Sequence, residues 1–136
     1  MIKLIALTAL LFSNVVFASS SNENCVAITK EKLCIQIEWT QGPYVGSFSR
    51  NIVRFKNLLL STEEKEVYNS PKESVQFFGW MLMHGHSHGT RPVSTKLESD
   101  GIYENSKIFY MQGMKGSWQF KLKLGSEEFV LHTLDV

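Results

Sequence analysis

Three of the four histidines and two of the five methionines crowd into Met81-Leu82-Met83-His84-Gly85-His86-Ser87-His88-Gly89. Imidazole nitrogen and thioether sulfur are the donors that select copper, thioether favouring Cu(I) and imidazole suiting Cu(II) and zinc. Three imidazoles so closely spaced can converge on one ion if the chain curls, and Gly85 and Gly89 read as the exits of a loop that does so. Met111-Gln112-Gly113-Met114 supplies further sulfur at a second Gly-bounded loop. The candidate metal ligands are therefore His84, His86 and His88, supplemented by Met83, Met81, Met111 and Met114. The competing reading of Met81, Met83 and Met111 is core packing, because each sits in an apolar run where methionine fills gaps. Met114, between Gly113 and Lys115-Gly116, is harder to place in a core. His132 alternates with Val130 and Leu134 and reads as a surface or core-edge histidine. Only neutral imidazole ligates, so acid is expected to weaken any metal binding.

Other chemistry is scarce. There is no Gly-x-Ser-x-Gly elbow, HExxH helix or phosphate-cradling glycine loop. Ser87 lies between two histidines, but neighbours on a strand point to opposite faces, which makes a poor nucleophile–base pair. The expectation is a protein that is not an enzyme. Cys25 and Cys34 are the only cysteines, and in an exported chain they read first as a disulfide. A hairpin of Val26-Ala27-Ile28 and Leu33-Cys34-Ile35 turning at Thr29-Lys30 would set Cys25 opposite Cys34, although Thr-Lys is a poor turn pair. A Cys₂ metal or redox pair is the alternative, and the spacing matches neither C-x-x-C nor a usual zinc motif.

The elements that must position these residues are strands. Period-2 alternation dominates: Ile35, Ile37 and Trp39 share one face, Val53 and Phe55 another, and Trp118, Phe120, Leu122 and Leu124 the clearest of all. Ser61 to Lys72 is polar and reads as a long connection. Val75 to Met83 is a continuous apolar and aromatic run, expected to be a central strand covered on both faces. Pro92 to Glu98 and Ile102 to Met111 are strands joined at Asp100-Gly101, a strong hairpin turn. Gly125-Ser126 turns the chain into Phe129 to Leu134. The pattern predicts an all-β, immunoglobulin-like antiparallel β-sandwich of about seven strands, with a small barrel second.

The N-terminus reads as an export signal over residues 1–18. Lys3 gives the positive start, Leu4 to Phe12 the apolar stretch, and Val16-Phe17-Ala18 before Ser19 the cleavage site. The apolar run falls short of the ~20 residues that span a bilayer; an uncleaved anchor is the alternative. Residues 19–136 then form a single domain, exported and periplasmic or secreted. Only Lys3 among the charged residues precedes Ser19, so the domain is close to neutral, with no block of one sign. Nothing points to nucleic acid or anionic lipid. The expected partner is a metal ion, together with an envelope metalloprotein or membrane protein that exchanges it.

From Val75 onward the motifs run Trp80-Met81-Leu82-Met83-His84-Gly85-His86, then Arg91-Pro92-Val93, Gly101-Ile102-Tyr103, Phe109-Tyr110-Met111 and Gly116-Ser117-Trp118. In this order they resemble the YtkA-like and FixH-like group of small bacterial exported or membrane-tethered β-sandwich domains. Over the last part of the chain the resemblance implies that fold, together with copper handling or oxidase assembly. It sets the group's Met-His segment on Met81, Met83, His84 and His86, and its later methionine on Met111. His88 enriches the cluster, and Leu82 stands where the group often has proline. Two functions follow as expectations. The first is a copper-binding protein that buffers or delivers Cu(I) or Cu(II), with zinc on three imidazoles as the variant. The second is a metal-independent interaction module docking through an edge strand or the Phe77-Phe78-Gly79-Trp80 region.

Overall fold

The computed structural model describes residues Cys25 to Val136; the expected signal segment lies outside the described residues. The chain runs through β1 (Cys25–Ile28), β2 (Leu33–Gln41), β3 (Phe48–Asn57), β4 (Val75–Met83) and β5 (His86–Gly89). It continues through β6 (Ser94–Ser99), β7 (Ile102–Phe109), β8 (Ser117–Leu124) and β9 (Glu127–Asp135). All pairings between these strands are antiparallel, and they build a sheet ordered β1-β2-β3-β7-β6 against a sheet ordered β5-β4-β8-β9. The fold is the all-β antiparallel sandwich that the alternation predicts. Its described residues hold two sheets, of five and four strands, rather than about seven strands in all. The surplus comes from short elements, above all β5.

Alternation builds the core directly. Trp118, Phe120, Leu122 and Leu124 of β8 are buried, and so are Ile35, Val53, Phe55 and Ile108 of the facing sheet. Each such side chain contributes roughly 1.5–3 kcal/mol on leaving water. Phe77 joins the layers, lying parallel to Phe120 at 5.9 Å and against Tyr103 at 5.6 Å. One polar chain crosses the inner face of the first sheet. Thr95 Oγ1 donates to Asn105 Oδ1 at 2.6 Å, and Asn105 Nδ2 donates to Asn51 Oδ1 at 2.9 Å. Because these groups sit on β6, β7 and β3, a slip of register would strand a buried amide, so the bonds specify the pairing.

Two expectations need correction. Cys25 and Cys34 do form the disulfide, but they are not directly opposite. Cys25 pairs with Gln36 and Ala27 with Cys34, so the bridge runs diagonally across one face. The reason lies in the turn, which takes in Thr29 to Lys32 with Lys32 left-handed at φ 55°. Thr-Lys cannot supply the left-handed pair that a two-residue turn favours. Secondly, β4 is central in its sheet but covered on only one face. Phe77 and Met81 are buried, whereas Leu82 is 41% exposed. Phe78 and Trp80 lie on the outer face under Lys121, whose Nζ stands 5.6 and 5.5 Å from their rings.

Candidate metal-binding hairpin

Met83 is followed at once by a turn at His84-Gly85, and His86 begins a strand that doubles back on β4. Only the second turn residue is left-handed, Gly85 at φ +84°, the type II pattern that calls for glycine at that position. The expected loop is thus a tight hairpin, and His86 to Gly89 form the edge strand of the second sheet. Met83 pairs with His86, and Met81 with His88. Residues opposite each other across a strand pair share a face, so two thioethers and two imidazoles stand side by side. Leu82, Ser87, Trp80 and Gly89 occupy the other face.

The His86 and His88 rings lie 6.2 Å apart with planes 25° from parallel. His88 Nδ1 sits 3.0 Å from the Gly89 carbonyl oxygen. A carbonyl can only accept, so Nδ1 is the donor in this contact, and in a neutral ring that leaves the Nε2 lone pair for a ligand. That backbone contact orients the ring, as carbonyl partners commonly orient ligating histidines. Thr90 holds the far end of the strand. Its N–H donates to the Gly79 carbonyl at 3.1 Å, and its side chain occupies the space a Cβ on Gly79 would need, with Oγ1 in closest approach.

Beneath the hairpin, Met81 is buried at 1% exposure and pairs on β8 with Trp118, which packs on Tyr110 at 5.3 Å. Met81 is therefore a core residue, on the face of the hairpin that carries His86 and His88. It also lines a cavity of about 300 Å³ with Met111, Phe109, Arg91 and Gln112. The β7–β8 loop thus brings Met111, 44% exposed, to the same end of the sandwich. Arg91 stacks over Phe109 at 4.8 Å and adds positive charge at that cavity. Met114 lies farther along this loop, 37% exposed. Gly116 closes the loop against the Leu82 carbonyl.

The ligand set therefore divides. His86, His88, Met83 and Met81 share one face of one hairpin; Met111 meets Met81 across a cavity; His84 sits exposed in the turn. Among the described residues, no three side chains of His, Cys, Asp and Glu are grouped to hold an ion. The donor chemistry nonetheless fits copper, because nitrogen and sulfur donors face the same side. Sequence reasoning missed the methionine–histidine pairing. Its signal is the mirror arrangement of Met81-x-Met83 and His86-x-His88 about His84-Gly85.

His132 lies away from this site, its ring against Trp39 at 5.4 Å. It is a core-edge residue, and burial holds its imidazole below the ordinary range. The simple alternation with Val130 fails there. The register shifts between Phe120 and Lys121, which pair with His132 and Val130, and Val130 is 42% exposed. Comparison with protein-family models, curated proteins and solved structures finds no match.

Proposed function

We propose that this chain is an exported copper-binding protein that buffers or delivers the ion at the β4–β5 hairpin. One observation carries the reading: His86 and His88 stand together on the face they share with Met83 and Met81. Imidazole there suits Cu(II), and thioether suits Cu(I). Copper is cargo in this reading, and an ion held at a sheet edge is accessible to an acceptor protein of the envelope. The resemblance to the YtkA-like and FixH-like group belongs to the same proposal.

The test is calorimetric titration with Cu(I) under anaerobic reducing conditions, repeated with Cu(II) and Zn(II). Paired His86→Ala and His88→Ala changes are expected to remove tight binding, while His84→Ala leaves most of it. Binding weaker than about 10 μM for every ion would sink the proposal. The metal-independent interaction module then takes first place. It is favoured by Leu58, Leu59 and Leu60, which are 47%, 74% and 61% exposed after β3. Their turn is fixed by Asn57 Oδ1, which accepts from the Leu59 and Leu60 N–H groups at 3.0 Å each.

A further inference from the structure

One face of the hairpin provides two imidazoles, with His84 exposed in the turn, and Cu(II) or Zn(II) is satisfied by three or four nitrogen donors. The outer side of β5 is where the rest can come from. β5 is the last strand of its sheet, bonded on one side to β4. Opposite residues in an antiparallel pair alternate between exchanging both backbone hydrogen bonds and exchanging none. Thr90 N–H bonds the Gly79 carbonyl, and the register then assigns bonded pairs to Met81–His88 and Met83–His86. His86 and His88 consequently spend their backbone groups on β4, while Ser87 and Gly89 direct theirs outward. Such an edge is a template for another strand.

β5 is also suited to meet itself. His86-Ser87-His88 reads the same in both directions, so a second copy can lie antiparallel about a twofold axis at Ser87. Ser87 would exchange both backbone bonds with its counterpart. His86 of each copy would then face His88 of the other in the non-bonded pairing, where Cβ atoms stand about 4.5–5.5 Å apart. With 6.2 Å between rings along each strand, four imidazoles would border one small space on one face. Ring nitrogens can reach a shared ion at roughly 2 Å from that arrangement by side-chain rotation. Charge does not oppose the approach. The edge strands β6 and β9 carry Lys96, Glu98, Glu127, Glu128 and Asp135, the charges that commonly guard an edge, whereas β5, like the short edge strand β1, carries none.

We propose that Cu(II) or Zn(II) joins two copies of this chain edge to edge along β5, with His86 and His88 of both copies on one ion. This rests on the metal-binding reading and specifies how the site is completed. The protein, untagged and purified as the cell produces it, would be titrated with Cu(II) and separately with Zn(II). Its molar mass would be followed by sedimentation or light scattering. The expected result is a doubling of mass at one ion per two chains. Ser87→Lys, which sets two ammonium groups against each other on the outer face, should hold the mass at that of one chain. Ser87→Pro, which removes the outward N–H, should do the same by a separate route. A single chain binding one ion without a change of mass overturns this proposal and leaves the copper reading standing. No binding of either ion overturns this proposal, and with Cu(I) also unbound the copper reading falls too. Metal-driven doubling that survives both substitutions overturns the strand pairing.

Discussion

Two residues show how one side chain answers to two demands. Met81 is a buried core residue that shares its face of the hairpin with the histidine pair. Met81→Leu keeps its volume, so it is expected to cost less than about 1.5 kcal/mol while removing the thioether. Thermal unfolding beside Cu(I) titration separates the two roles, and a large loss of stability with unchanged Cu(I) affinity would assign Met81 to packing alone. His132 illustrates the cost of a half-buried base. Its Nδ1 is buried with no hydrogen-bond partner among the described residues, and burial lowers its folded pKa. The unfolded chain therefore takes up the proton first. Stability should fall as pH drops below about 6.5 and go on falling until the folded imidazole also titrates. His132→Phe is expected to flatten that part of the Tm-against-pH curve relative to the parent protein; identical slopes would refute the assignment.

Hairpin turns set how firmly each element is held. Gly85 and Gly101 are both left-handed, at φ +84° and +76°, but their surroundings differ. A Cβ at Gly85 would meet nothing within 4 Å, whereas one at Gly101 would come within 2.5 Å of the Asn69 backbone nitrogen. Gly85→Ala should thus cost only the torsional term of about 1–2 kcal/mol, and Gly101→Ala clearly more. Equal shifts in Tm would contradict this account. The Gly101 turn is also tied to the long connection, since Asp100 accepts from Ser70 N–H at 2.7 Å and Asn69 Nδ2 at 3.0 Å. Hydrogen bonds from this connection, the Ser70 backbone N–H first, hold its carboxyl below the usual range. Asp100-Gly101 was legible in the sequence because turn chemistry is local. The β4–β5 hairpin was not. Gly85 and Gly89 read as exits from the sheet, and nothing local says that the strand after Met83 folds back onto β4 rather than leaving it.

Across the whole molecule, the legible part is what period-2 alternation encodes: two layers, the inward rows of β2, β3 and β8, and a disulfide between the only two cysteines. The illegible part is which strand neighbours which. β3 lies beside β7, and the chain changes sheets between β3 and β4, β5 and β6, and β7 and β8. Those long-range pairings bring Met111 to Met81, a juxtaposition that no spacing reveals. The same arrangement separates stability from the site. The disulfide closes a loop with a sequence separation of 9, worth about 2–3 kcal/mol by chain entropy. It lies on β1, which packs on β9, at the opposite side of the second sheet from β5. Replacing Cys25 and Cys34 together by alanine should lower Tm while leaving metal affinity at the hairpin intact; a parallel loss of affinity would show the two ends to be coupled. The side chain of Thr90 in the space beside Gly79 has a consequence for descent. Neither position can drift alone, because a methyl group at 79 collides with Thr90, and a smaller residue at 90 leaves a hole where β5 departs. Over evolutionary time the two positions are therefore expected to change as a pair, and a sequence holding alanine at 79 should carry glycine or alanine at 90.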